Sequence, residues 1–180
     1  MSAVEHRYWS EAEFLERPTA LAFAELVDGE VVVTPSPSWW HGGLCERLGH
    51  AFRLWADAQP HRWHVRHAPL DLHLGPDRVV QPDLALFQGD IPWDEPRPLR
   101  RLPRLVVEVA SPSTADHDRR TKRLLYAAAG VPELWLVDPE GVVEVFTGAA
   151  LGHREVEATR LAARTVPGLE VDLRALFDRG

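Results

Sequence analysis

Arg104-Leu105-Val106-Val107-Glu108-Val109-Ala110 is the stretch that decides the fold. Its apolar run is interrupted only by Glu108, and a run of this kind reads as a central strand covered on both faces. Ser111-Pro112-Ser113-Thr114 ends it. Downstream, Asp116 or Asp118 caps a helix through Ala129, with Gly130 at the terminator position. Residues 133–137 and 142–146 read as a hairpin around Asp138-Pro139-Glu140-Gly141, followed by a strand from Arg154 to Thr159 and a short helix after Asp172. Upstream, Ser10 and Glu13 form a capping box for a short helix that stops before Pro18. Residues 24–27 and 30–34 flank Asp28-Gly29, a two-residue hairpin signal. Leu44, Leu48, Phe52 and Trp55 keep helical spacing, which Gly42, Gly43 and Gly49 weaken. Residues 63–66, 70–74 and 83–87 read as short strands, with Gly75-Pro76-Asp77 as a turn, and Gln88 to Pro103 as a proline-rich surface loop. The fold class is α/β, a mixed sheet flanked by helices in one domain spanning 1–180, with its core at about 10–147 and a C-terminal strand and helix at 153–178.

A chain of 180 residues with 45% apolar content can fill one core. No apolar run approaches the roughly 20 residues of a membrane helix, and Met1 to Ser10 lack a signal-peptide stretch, so the expected location is cytoplasmic. Cys45 is the only cysteine, which excludes an internal disulfide and a cysteine-rich zinc site. The net charge of −7 argues against a protein that coats nucleic acid, but not against an enzyme holding divalent cations on carboxylates. Of the 20 basic residues only Lys122 is lysine. A drift toward arginine explains the bias; a lysine that survives it stands where a compact, deprotonatable charge is needed, or survives by chance.

Glu108 is the sharpest candidate for chemistry. A carboxylate inside an apolar strand costs several kcal/mol unless it is paired, neutralised or bound to a metal. The other readings are an edge strand with Glu108 in water, or an ion pair with arginine. Asp83 follows Gln81-Pro82 at a strand start, and two carboxylates on neighbouring strands are what Mg²⁺ requires. Lys122 shares the core-facing side of its helix with Leu125 and Ala129. Glu25, beside an apolar run, is a third carboxylate of the site or a surface residue. His61, His64 and His67 alternate sides of a strand and make a poor zinc site. His41, near a helix start, is a phosphate contact or, more simply, a surface histidine; Trp39-Trp40 belongs to the core or to a partner surface. Arg119, Arg120 and Arg123, with Arg97, Arg100, Arg101 and Arg104, form a basic strip or a solvated face. Gly29, Gly42 and Gly43 make no phosphate loop, and Ser111 and Ser113 lack a hydrolase elbow.

Glu-Leu-Val-Asp-Gly-Glu (25–30), Pro-Ser-Pro-Ser before His41, Gln-Pro-Asp-Leu-Ala (81–85), Leu-Val-Val-Glu-Val-Ala-Ser-Pro-Ser-Thr (105–114), Asp118, Lys122, Tyr126, residues 129–139 and Pro-Gly-Leu-Glu-Val-Asp-Leu (167–173) occur in that order. Together they resemble the Uma-two family of restriction-endonuclease-like proteins, with the PD-(D/E)XK nuclease fold, over nearly the whole chain from about Ser10 to Phe177. The resemblance implies a mixed sheet with the site on adjacent strands, metal carboxylates at Asp83 and Glu108, and a carboxylate from the N-terminal part at Glu25. The lysine usual two residues after the glutamate is absent, since Ala110 stands there; Lys122 then supplies the ammonium from the following helix. Ala24 and Leu134, where family members often carry tyrosine, are packing changes. The implied activity is DNA phosphodiester hydrolysis with Mg²⁺ or Mn²⁺ held by Asp83, Glu108 and the Val109 carbonyl, and with Lys122 catalytic. The alternative is a non-cleaving module that binds nucleic acid or protein, linked to mobile elements. A homodimer would offer two sites to the two strands of a duplex.

Overall fold

The computed structural model describes residues 8–33, 36–110 and 118–179, the side chains of Asp118 and Arg119 excepted. The expected break at Ser111–Thr114, the cap at Asp116 and the reading of Met1 to Arg7 lie outside the described residues.

Helix α1 (Glu11–Leu15) starts at the expected capping box, with Ser10 and Glu13 bonded reciprocally, and buries Phe14. The hairpin β1 (Ala24–Val27) and β2 (Glu30–Val33) turns at Asp28 and Gly29, with φ of 50° and 84°. Two successive positive φ values match the strand twist, which explains why Asp-Gly is found there. Helix α2 (Trp39–Asp57), capped by Ser38, buries Leu44, Leu48 and Phe52. Its Gly49 is a close approach: a Cβ there would lie 2.2 Å from the His67 ring. The glycine lets α2 settle onto the strand that carries His67.

The strands β3 (Trp63–His67), β4 (Leu72–Gly75), β5 (Arg78–Val80), β6 (Leu84–Gln88) and β7 (Leu105–Val109) follow. A helical stretch comes next, a wide π-type turn (Asp118–Lys122) running into α3 (Arg123–Ala129), which stops at Gly130 with φ of 88°. Such wide turns are found mostly at functional sites. The chain ends with β8 (Glu133–Asp138), β9 (Val142–Thr147), β10 (His153–Glu157), β11 (Arg160–Ala162), β12 (Glu170–Asp172) and α4 (Leu173–Phe177), capped by Asp172.

A six-stranded mixed sheet in the order β10-β9-β8-β7-β6-β3 carries the fold. β7 pairs with β8 in parallel, the α3 crossover supplying the connection, and with β6 antiparallel. Leu105, Val107 and Val109 pack toward α2, while Val106 packs toward Leu125 and Tyr126 of α3. Both faces of β7 are covered, as its apolar run, broken only by Glu108, predicts. The expected single sheet is accompanied by a four-stranded one, β2-β1-β5-β4, and a small β11–β12 pair. β5 escapes sequence reading because three residues are too few to show alternation and no turn residue separates them from Gln81-Pro82.

Glu133 opens β8 fully buried and is architectural. Its carboxylate accepts hydrogen bonds from Thr165 N (2.7 Å), Arg164 N (2.9 Å), Thr165 Oγ1 (2.8 Å) and Trp135 Nε1 (2.7 Å), fastening the C-terminal loop to the sheet. Glu133→Ala strands these donors, so a loss of about 3 kcal/mol or more is expected in urea unfolding. Its response to divalent cations should stay that of the wild type, because this carboxylate is remote from the site below.

Candidate active site

Extending the β6–β7 register by one residue from Leu84–Val107 sets Asp83 opposite Glu108, so neighbouring strands bring the two carboxylates together. Glu108 lies on the α3 face of β7 and is 5% exposed. Its Oε2 accepts a hydrogen bond from Lys122 Nζ at 3.1 Å, and its Oε1 one from the Tyr126 hydroxyl at 2.5 Å. Lys122 ends the wide turn and Tyr126 follows four residues on, so both point to the sheet from one side of the helix. The edge-strand and arginine-pair readings of Glu108 are thereby set aside.

Lys122 Nζ also lies 3.1 Å from Glu25 Oε1. Glu25, on β1, is buried, and its Oε1 accepts the Gln81 backbone N–H at 2.7 Å. The Gln81 amide in turn donates to Asp71 Oδ1 at 2.8 Å, and Arg17 closes the chain with a 2.7 Å pair to Asp71. The second sheet therefore has a purpose: it carries Glu25 to the ammonium.

Asp83, which directly precedes β6, accepts the Val109 N–H on Oδ2 at 2.8 Å. The same oxygen lies 3.2 Å from His41 Nε2, on the first turn of α2. Cys45 Sγ, four residues on, sits 3.7 Å from His41 Nδ1. The surface reading of His41 does not hold, since its side chain is 14% exposed and engaged with Asp83.

Lys122 faces two carboxyl groups, Glu108 and Glu25, and Asp83 stands near enough to act on Glu108. Burial pushes the Glu108 carboxyl up to about 8; Lys122 and the Tyr126 hydroxyl pull it down, while Asp83 and Glu25 push it further up. The hydrogen bond that His41 donates to the Asp83 carboxylate raises the imidazole, opposed by burial and by Lys122. Burial, then Asp83 and Glu108, raise the Cys45 thiol, which stays protonated. Carboxylate oxygens suit a hard divalent cation, and Asp83 and Glu108 offer them side by side across the β6–β7 register.

A carboxyl raised from its ordinary 4.5 to about 8 makes the folded state bind a proton that the unfolded chain has released. Its contribution is fully present below 4.5 and lost as pH rises through 8, so the metal-free protein should lose stability across that window. Urea unfolding from pH 5 to 8 should show this slope, and Glu108→Gln should flatten it.

The other candidates are dispersed. His64 bonds to Gly89 O, and His67 fills the space beside Gly49. Trp39 is 95% exposed, while Trp40 is half-buried under Arg47 and Arg179. Arg100 pairs with Glu11, Arg101 with Glu95, Arg104 bonds to Thr165 O and Arg123 to Leu151 O, leaving Arg97 and Arg120 exposed. The expected basic strip is largely consumed by these internal pairs, and the Arg119 side chain lies outside the described residues. Tyr126, Gln81 and Cys45 were not read as site residues, and His41 was weighed only as a phosphate contact against a surface histidine. The four-residue spacings Lys122–Tyr126 and His41–Cys45 are the signals that could have found two of them.

Among the described residues no helix is long and apolar enough to cross a membrane. No curated protein matches the chain. A solved chain from Anabaena variabilis ATCC 29413, titled "a putative nuclease belonging to DUF820", superposes with a TM-score of 0.74 at 22% identity, covering 93% of this chain and 97% of that one. At that identity the likeness is one of fold: mixed sheets with flanking helices. The sequence itself matches the family model described as "Putative restriction endonuclease" over residues 11–174, and on that match the chain belongs to the Uma2 family.

Proposed function

We propose that the chain is a divalent-metal-dependent endonuclease that hydrolyses DNA phosphodiester bonds, acting as one catalytic domain in the cytoplasm. The observation that carries this reading is Lys122, buried between Glu108 and Glu25, so that one ammonium faces two carboxyl groups. Asp83, Glu108 and the Val109 carbonyl would hold Mg²⁺ or Mn²⁺, whose part is to polarise a phosphate oxygen and acidify water. Lys122 Nζ is held at a fixed place by its two carboxylates and stabilises charge developing on the phosphate, or orients the attacking water. Tyr126 holds Glu108 Oε1 by its hydroxyl and so fixes the orientation of the carboxyl group. The Gln81 N–H and the Asp71–Arg17 pair keep Glu25 against the ammonium without touching substrate. A two-fold dimer would place two such sites on the strands of a duplex.

The test is cleavage of a labelled DNA duplex with Mg²⁺ or Mn²⁺, against a chelator control, for the wild type and Asp83→Asn. Cutting should require the cation and disappear in the variant. Binding without cutting would identify a non-cleaving module, and cation-independent cutting would remove the metal assignment.

A further inference from the structure

The imidazole of His41 faces the Asp83 carboxylate assigned above to the cation, on the same oxygen that accepts the Val109 N–H. Resting on that assignment, we propose that His41 Nε2 is itself a ligand of the cation, and that this nitrogen tilts the site from Mg²⁺ toward Mn²⁺.

The spacing supports it. His41 Nε2 and Asp83 Oδ2 are 3.2 Å apart. Two ligand atoms on one ion, each at about 2.1 Å and roughly 100° apart, stand at that same distance. Among the described residues, His41, Cys45 and Asp83 form the one group of three ligating side chains whose donor atoms all lie within 4.8 Å of one another. Cys45 sits at the opposite end of the ring, 3.7 Å from Nδ1, where its sulfur can accept the Nδ1–H. A histidine that binds a metal through one nitrogen is held in tautomer and orientation by a partner at the other. The ring is thus gripped at Nδ1 and presented at Nε2, half-buried, from the rigid first turn of a long helix.

The ligand set has a chemical consequence. Mg²⁺ prefers water and carboxylate oxygen and gains little from imidazole, whereas transition-metal ions accept a nitrogen donor. A carboxylate-only site would discriminate weakly between Mg²⁺ and Mn²⁺. With His41 it favours Mn²⁺.

The experiment is calorimetric titration of the full chain with MnCl₂ and with MgCl₂, for wild type, His41→Gln and Asp83→Asn, with pulsed electron paramagnetic resonance of the bound Mn²⁺. The wild type should bind Mn²⁺ the more tightly and show ¹⁴N coupling from imidazole. His41→Gln should abolish that coupling and weaken Mn²⁺ about 10-fold or more, since even partners of metal ligands are worth about 10–100-fold. Mg²⁺ should weaken by less than about threefold. Absence of ¹⁴N coupling in the wild type overturns the proposal without any variant. So does an equal loss for both ions, which is what removal of a simple His41–Asp83 pair would give. If Asp83→Asn abolishes binding while His41→Gln leaves Mn²⁺ affinity intact, the cation assignment stands and His41 falls. If neither change alters binding, both fall.

Discussion

Lys122→Ala should lower the rate of duplex cleavage by about 10²–10³-fold, the usual effect of removing one preorganised electrostatic donor. Metal affinity should be kept or even improved, because a repelling cation has left the site. The burial of Lys122 against both Glu108 and Glu25 adds a second expectation. Taking the ammonium away leaves the buried Glu25 carboxylate without its cation, so the metal-free variant should lose about 3–5 kcal/mol in urea unfolding at neutral pH. Part of that loss should return on adding Mn²⁺. Lys122→Arg keeps the charge but brings bulk and a planar fork into a space fitted to a point charge, and removes any proton exchange. It should restore only part of the rate. Wild-type cleavage by Lys122→Arg would remove the special role of lysine, and wild-type cleavage by Lys122→Ala would remove the catalytic assignment.

Glu108→Gln should abolish cleavage and the stabilisation by metal together, while leaving the metal-free fold intact. With burial raising it to about 8, Glu108 is largely protonated at neutral pH when no cation is present, and an amide of the same shape replaces a neutral acid. Its oxygen can still accept from Lys122 or from Tyr126. What it cannot do is carry a charge toward the cation. Wild type in Mn²⁺ at about 100 times the dissociation constant should gain about 2.7 kcal/mol, or about 5–10 °C in Tm, by mass action. The variant should gain close to nothing in the same melting experiment. A full metal response in Glu108→Gln would take this residue away from the metal.

The parts of the fold legible in the sequence are those set by local rules. The Asp28-Gly29 turn, the Ser10–Glu13 capping box and the doubly covered β7 each follow from a few contiguous residues. Glu108 and Lys122 announced themselves by contrast, one as a charge in an apolar run and the other as a lysine in an arginine-only background. Features made by long-range packing stayed hidden. Nothing local shows that β4 and β5 pair with the N-terminal hairpin, so the burial of Glu25 could not be anticipated. Glu133 looked like a strand start because its partners, Arg164 and Thr165, lie in a distant loop. His41 reads as a surface residue in its own segment and gains meaning only when α2 lies across the sheet and meets Asp83. The arginines around Lys122 and in the preceding loop suggested a basic strip or a solvated face, because composition shows charges and hides their partners, Glu11 and Glu95 among them.

The central assignment, a divalent cation held between strands β6 and β7, is tested most directly by anomalous diffraction from crystals soaked in Mn²⁺. The expected result is one strong anomalous peak about 2.1 Å from a carboxylate oxygen of both Asp83 and Glu108. No peak there at saturating Mn²⁺, or a peak only elsewhere on the chain, would contradict it.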